Sequence, residues 1–124
     1  MKLQQLFEDE NRVDLSQLQN TCDNFGSGFY WEEGGCWAMA LALGEYFQSL
    51  GLTPTYHVDL GMHHCYAGGN GKLYDYTGVC RPQIPLTTVS KKRLIEIAHI
   101  ANKGNDLVSD FPEARAIIAA ATST

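Results

Sequence analysis

Hydrophobic positions divide the chain into a few unequal blocks. The longest, Cys36-Trp37-Ala38-Met39-Ala40-Leu41-Ala42-Leu43-Gly44-Glu45-Tyr46-Phe47, is almost unbroken. It is too long for an ordinary strand and reads as a buried helix from about Cys36 to Leu50, stopped by Gly51. Ahead of it, Leu3, Leu6 and Phe7 share one face of a short helix over 2–9, and Asp14 or Ser16 is placed to cap a second short helix through Leu18. Residues 21–35, rich in Gly, Asn and aromatics, read as a loop. After the long helix, Thr53–Leu60 alternates and carries Tyr, Val and Thr, which predicts a strand. His63–Ala67 and Leu73–Tyr76 are a second and a third strand around the turn Gly68-Gly69-Asn70-Gly71. Thr77–Pro85, with Gly78, Pro82 and Pro85, reads as a loop. Ser90 can cap a helix over Lys91–Asn102 that ends near Gly104, and a last helix, Pro112–Ala121, follows Asp110. No further strand is read after the third, and there is no internal repeat or low-complexity linker.

Composition narrows the class. At 124 residues, 44% hydrophobic and 19% charged, the chain matches one ordinary globular domain spanning 1–124. Fourteen acidic residues against nine Lys and Arg give a formal charge of −5. Phosphate contacts need clustered Lys and Arg, and Lys91-Lys92-Arg93 is the only basic group, so no nucleic-acid partner is expected. No apolar run approaches the ~20 residues of a membrane span, and no membrane association is expected. The start, Met1 to Glu10, lacks the apolar core of a Sec signal and soon turns acidic. The expected location is the cytoplasm, or export by a route without a Sec signal. The four cysteines (Cys22, Cys36, Cys65, Cys80) are then read as reduced thiols. No Cys-x-x-Cys pair is present, and His63 with Cys65 is a thin basis for chelation, so neither a metal nor another cofactor is expected.

Chemistry concentrates at Cys36. Gly34-Gly35 precede it and the long helix follows, so the cysteine sits in a first helical turn, where the helix dipole favours the thiolate. A base and its orienting group follow downstream. If Gly69-Asn70 form a two-residue turn, or Gly68–Gly71 a four-residue loop, residue 67 pairs with 72 and His64 lies directly opposite Asp75. Opposed residues share a sheet face with Cβ atoms ~4.5–5.5 Å apart. Asp75 can then hold one imidazole nitrogen while the other takes a proton from the thiol. His63 would face the other way, beside Tyr76, and an odd register slip would favour it over His64. The Cys36 backbone N–H is one natural oxyanion donor. Oxyanion or cleft candidates from the preceding loop are Tyr30 and Asn24, then Trp31 and Asn20; Trp37 reads as core or cleft lining. Cys65 and Cys80 read as packing residues, His57 as a satisfied strand histidine and His99 as a helix-surface residue.

Gly-Gly-Cys-Trp heading an apolar helix, His64-Cys65-Tyr66 on a strand and then Leu73-Tyr74-Asp75-Tyr76-Thr77-Gly78 together resemble the papain-like cysteine hydrolase superfamily, in its transglutaminase-like and NlpC-type branches. The resemblance covers roughly residues 30–80. It implies an α+β fold in which a central helix bearing the cysteine packs on a small antiparallel sheet, here with C-terminal helices. It also implies Cys36 as nucleophile, His64 as base and Asp75 as orienting residue. The expected activity is a thiol hydrolase acting on an amide or peptide bond of a peptide or protein substrate. The alternatives are acyl transfer or protein-glutamine deamidation by the same triad, or a non-catalytic papain-like binding protein.

Overall fold

A computed structural model describes residues 13–24, 36–59, 64–82, 85–101 and 107–122. Their elements run α1 (Leu18–Asn24), α2 (Cys36–Ser49), β1 (Thr55–Asp59), β2 (His64–Gly68), β3 (Leu73–Asp75), β4 (Gly78–Cys80), β5 (Thr87–Val89), α3 (Lys91–Ala101) and α4 (Leu107–Thr122). The class is α+β: among the described residues, four helices accompany a five-stranded sheet ordered β4-β3-β2-β1-β5, every neighbouring pair antiparallel.

Helix α2 is the centre of the molecule. Every residue from Cys36 to Gly44 is buried, as is Phe47. A helix that is apolar all round must be covered on all sides, and α2 is: it packs on α4, on α3 and on β1, β2 and β3. Its end is a Schellman motif. Leu52 N–H donates to the Phe47 carbonyl and Gly51 N–H to that of Gln48, both at 3.0 Å, with Gly51 at φ +83°. Gly44 has a separate reason to be glycine. A Cβ there would overlap the Tyr56 hydroxyl oxygen, so its absence lets the β1 tyrosine press onto the helix. Phe47 stacks obliquely on Tyr74 of β3 with ring centroids 5.2 Å apart, joining the far end of α2 to the sheet.

The C-terminal helices close the core by ordinary amphipathic spacing. Leu94 and Ala98 of α3, and Ala114, Ile117 and Ile118 of α4, are the buried positions. Ser90 caps α3 as expected, its Oγ accepting the Arg93 N–H at 3.0 Å. Arg115 of α4 holds Glu45 of α2 through two parallel bonds of 2.7 Å.

Several boundaries differ from the sequence reading. Helix α1 begins at Leu18, where the short helix was expected to end, and it takes Thr21–Asn24 out of the expected loop. Asp14 Oδ1 accepts from Ser16 N and Oγ, at 3.2 and 2.7 Å, in a turn ahead of that helix. The stretch read as the loop Thr77–Pro85 contains β4, and Thr87–Val89 forms β5. Both are three-residue strands, too short for alternation to reveal. Helix α4 starts at Leu107, ahead of the expected start at Pro112, and carries that proline inside it. The helix expected over 2–9, most of the 21–35 loop, Leu60, His63 and Gly104 lie outside the described residues.

Candidate active site

Cys36 is the first residue of α2, His64 the first of β2 and Asp75 the last of β3. The hairpin that brings the second and third together is not in the expected register. Ala67 pairs with Tyr74 and Gly68 with Leu73, so the connection is Gly69–Lys72 and the strands are shifted by two residues. Gly71 takes φ +84° in that connection. A shift of two preserves the face on which each side chain stands, whereas a shift of one would have reversed it. Asp75 therefore lies opposite Tyr66 rather than His64, and the His–Asp contact is diagonal, which side chains of this length span. His64 Nε2 and Asp75 Oδ2 are 3.0 Å apart.

Besides its bond to Asp75, the His64 side chain is hydrogen-bonded to the Cys36 thiol. That hydrogen bond, together with charge attraction, links the two side chains. The Cys36 thiol is lowered from 9.0 to about 6. A hydrogen bond from Cys65 is the largest cause; burial opposes it, and bonding and attraction to His64 reinforce it. Burial alone would depress the His64 imidazole, yet the bonds to Asp75 and Cys36 outweigh it and raise its value from 6.5 to about 10. Asp75 is likewise pushed up by burial but pulled down further by His64, Cys80 and Thr77, to about 2. At neutral pH the arrangement favours a thiolate, an imidazolium and a carboxylate in a row. Cys36 is 2% exposed, so protein groups rather than water balance its charge.

Two residues read as packing take part in this geometry. Cys65 follows His64 on β2 and is turned toward α2; its Sγ donates to the Cys36 carbonyl at 3.1 Å. Burial, then the bond to Cys36, hold its own thiol well above the ordinary value. Cys80 of β4 donates from Sγ to Asp75 Oδ1 at 3.0 Å. Alternation along the sequence carries no signal for either contact, because the first depends on how β2 packs against α2 and the second on strand β4. Tyr66 stands edge-on to the His64 ring, centroids 4.8 Å apart. Asp59, directly across β1 from His64, is a buried carboxylate that sequence reasoning overlooked.

The remaining candidates fall elsewhere. Asn24 is exposed at the end of α1, and Asn20, also exposed, bonds to Gln17 just ahead of that helix at 3.3 Å. Trp37 is 1% exposed, inside the core. Tyr30, Trp31, Gly34 and Gly35 lie outside the described residues. His57 is satisfied on both ring nitrogens by threonine hydroxyls, Thr55 at 2.8 Å and Thr88 at 3.2 Å. All four cysteines are free thiols. Burial is the main cause that lifts Cys22 and Cys80 to about 12, which leaves Cys36 as the one depressed thiol. Among the described residues, no group of three His, Cys, Asp or Glu side chains is arranged to hold a metal ion, and no helix is long and apolar enough to cross a membrane.

No family model, curated protein or solved structure matches the chain.

Proposed function

We propose that the chain is a thiol hydrolase of papain-like type that cleaves an amide or peptide bond through an acyl-enzyme on Cys36. The observation that carries this reading is the imidazole of His64 bonded to a carboxylate on one side and to a helix-start thiol on the other. A nucleophile, a base and an orienting group within hydrogen-bond reach are the signature of covalent acyl transfer.

The Cys36 thiolate attacks the substrate carbonyl carbon, and the carbonyl electron pair moves onto oxygen. The Cys36 backbone N–H, at the positive end of α2, is the natural donor to that oxyanion. Collapse of the adduct expels the amine, which takes its proton from the His64 imidazolium. A thioester on Cys36 remains. His64, now neutral, removes a proton from water, and the resulting attack releases the acid and restores the ion pair. Asp75 keeps the ring oriented throughout and balances its charge.

A generic acyl donor tests the reading without knowledge of the natural substrate. With p-nitrophenyl acetate, one acetyl group should appear on Cys36, preceded by a burst of p-nitrophenolate, and water should clear it. His64→Ala should lose both phases. Adding a small primary amine reports transfer in place of hydrolysis. Acetylation spread over the four cysteines, or unchanged in His64→Ala, contradicts the proposal.

A further inference from the structure

We propose that Thr77 and Cys80 are positioning residues, which pin one oxygen of Asp75 so that the other stays aimed at His64. The inference rests on the thiol-hydrolase reading for its purpose, though not for its geometry. Oδ2 of Asp75 faces His64 Nε2. Oδ1 receives three donors: the Thr77 backbone N–H at 2.8 Å, the Thr77 hydroxyl at 2.5 Å and the Cys80 thiol at 3.0 Å. A carboxylate held by one oxygen alone can rotate about its Cα–Cβ and Cβ–Cγ bonds. One with both oxygens engaged cannot turn without breaking charge-assisted bonds, the stronger class of hydrogen bond.

The local fold explains how two residues converge on that oxygen. Asp75 pairs with Gly78, so Tyr76-Thr77 form a two-residue hairpin connection. Gly78, at φ +98°, returns the chain along β3, and a Cβ there would sit 3.2 Å from the Leu15 carbonyl. Cys80 then falls opposite Leu73, which places it on the same sheet face as Asp75. The Thr77 contacts alone would be an ordinary local turn around an aspartate. Cys80 is what distinguishes the arrangement, because its thiol comes from the next strand to the same oxygen. Burial, and then the bond to Asp75, push that thiol up to about 12, so it stays protonated and remains a donor through the neutral range. Cys80 is thus a thiol suited to hold a carboxylate and unsuited to act as a nucleophile.

Two readouts in the full-length protein test this. The first is the downfield proton resonance of the His64 ring N–H bonded to Asp75, which reports orientation whether or not the protein is an enzyme. The second is the rate of Cys36 acetylation. In Thr77→Val with Cys80→Ala, the resonance should broaden into exchange with water and acetylation should slow about tenfold. Thr77→Ser with Cys80→Ser keeps the donors and should restore both. If the double variant does not fold, Cys80→Ala alone should give the same change in weaker form. An unchanged resonance in a folded variant overturns the proposal. Absence of Cys36 acetylation in the parent protein counts against the hydrolase reading instead, and leaves the resonance as the judge of the clamp.

Discussion

His64 and Asp75 meet diagonally across β2 and β3, 3.0 Å apart, in a hairpin shifted by two residues from the register its turn composition suggests. The contact survives the shift because parity, not direct opposition, decides which face a side chain occupies. Asp75→Asn keeps the shape and removes the charge that supports the imidazolium. The expected outcome is an intact fold by circular dichroism and a loss in Cys36 acetylation of up to about ten-thousandfold, the scale seen when an orienting aspartate is neutralised in a hydrolytic triad.

Opposite shifts at Cys36 and His64 set a pH window. Cys36 is depressed to about 6, so its stabilising contribution is present above its ordinary 9.0 and is lost as pH falls through about 6. His64 is raised to about 10, so its contribution is complete below 6.5 and is lost as pH rises through about 10. The ion pair therefore exists in the folded protein between about 6 and about 10. Turnover of p-nitrophenyl acetate should rise through the lower value and fall through the upper. Urea unfolding at a series of pH values gives the second check: the stability advantage of the parent over Cys36→Ala should grow with pH across that lower limb.

Cys65 is the largest cause of the Cys36 shift, so its removal has a defined sign. Cys65→Ala should raise the midpoint of Cys36 ionisation, because a hydrogen bond to a charged group is withdrawn. The rising limb of Cys36 alkylation against pH measures it. The fold should also lose about 1 kcal/mol from the small cavity left at a fully buried position.

Gly44→Ala reverses the usual helix preference. In an exposed helix the change would stabilise by roughly 1 kcal/mol. Here the new methyl would meet the Tyr56 ring, with Cζ at 2.8 Å, inside a packed core. We expect a net loss of about 1–3 kcal/mol, the range for overpacking, read as a lower denaturation midpoint. Tyr56→Phe in the same background should recover part of it by removing the nearest atom.

The parts of this protein legible in its sequence are those set by local chemistry. Gly51 ends α2 through its positive φ, Ser90 caps α3 through its hydroxyl, and the unbroken apolar run of α2 announces burial on every side. The shared face of His64 and Asp75 was also legible, since it needs only the right parity. What was hidden depends on long-range pairing. β4 and β5 have three residues each, and β5 pairs with β1 at the sheet edge. The contact of Cys80 with Asp75 follows from the β4 pairing, that of Cys65 with Cys36 from the packing of β2 on α2, and neither has a counterpart in composition or spacing. Pro112 concealed the start of α4 because a proline more often begins a helix than sits within one.

The central claim is a Cys36 thiolate sustained near neutrality by His64. Its most direct measurement is competitive alkylation by iodoacetamide between about pH 6 and 7, a range in which an ordinary thiol is almost wholly protonated, with each cysteine followed by mass spectrometry. A small probe is needed because Cys36 is 2% exposed. The account predicts that Cys36 is labelled far faster than Cys22, Cys65 and Cys80, and that His64→Ala narrows the difference sharply. Equal labelling of all four cysteines, or a preference for Cys36 undiminished without His64, would contradict it.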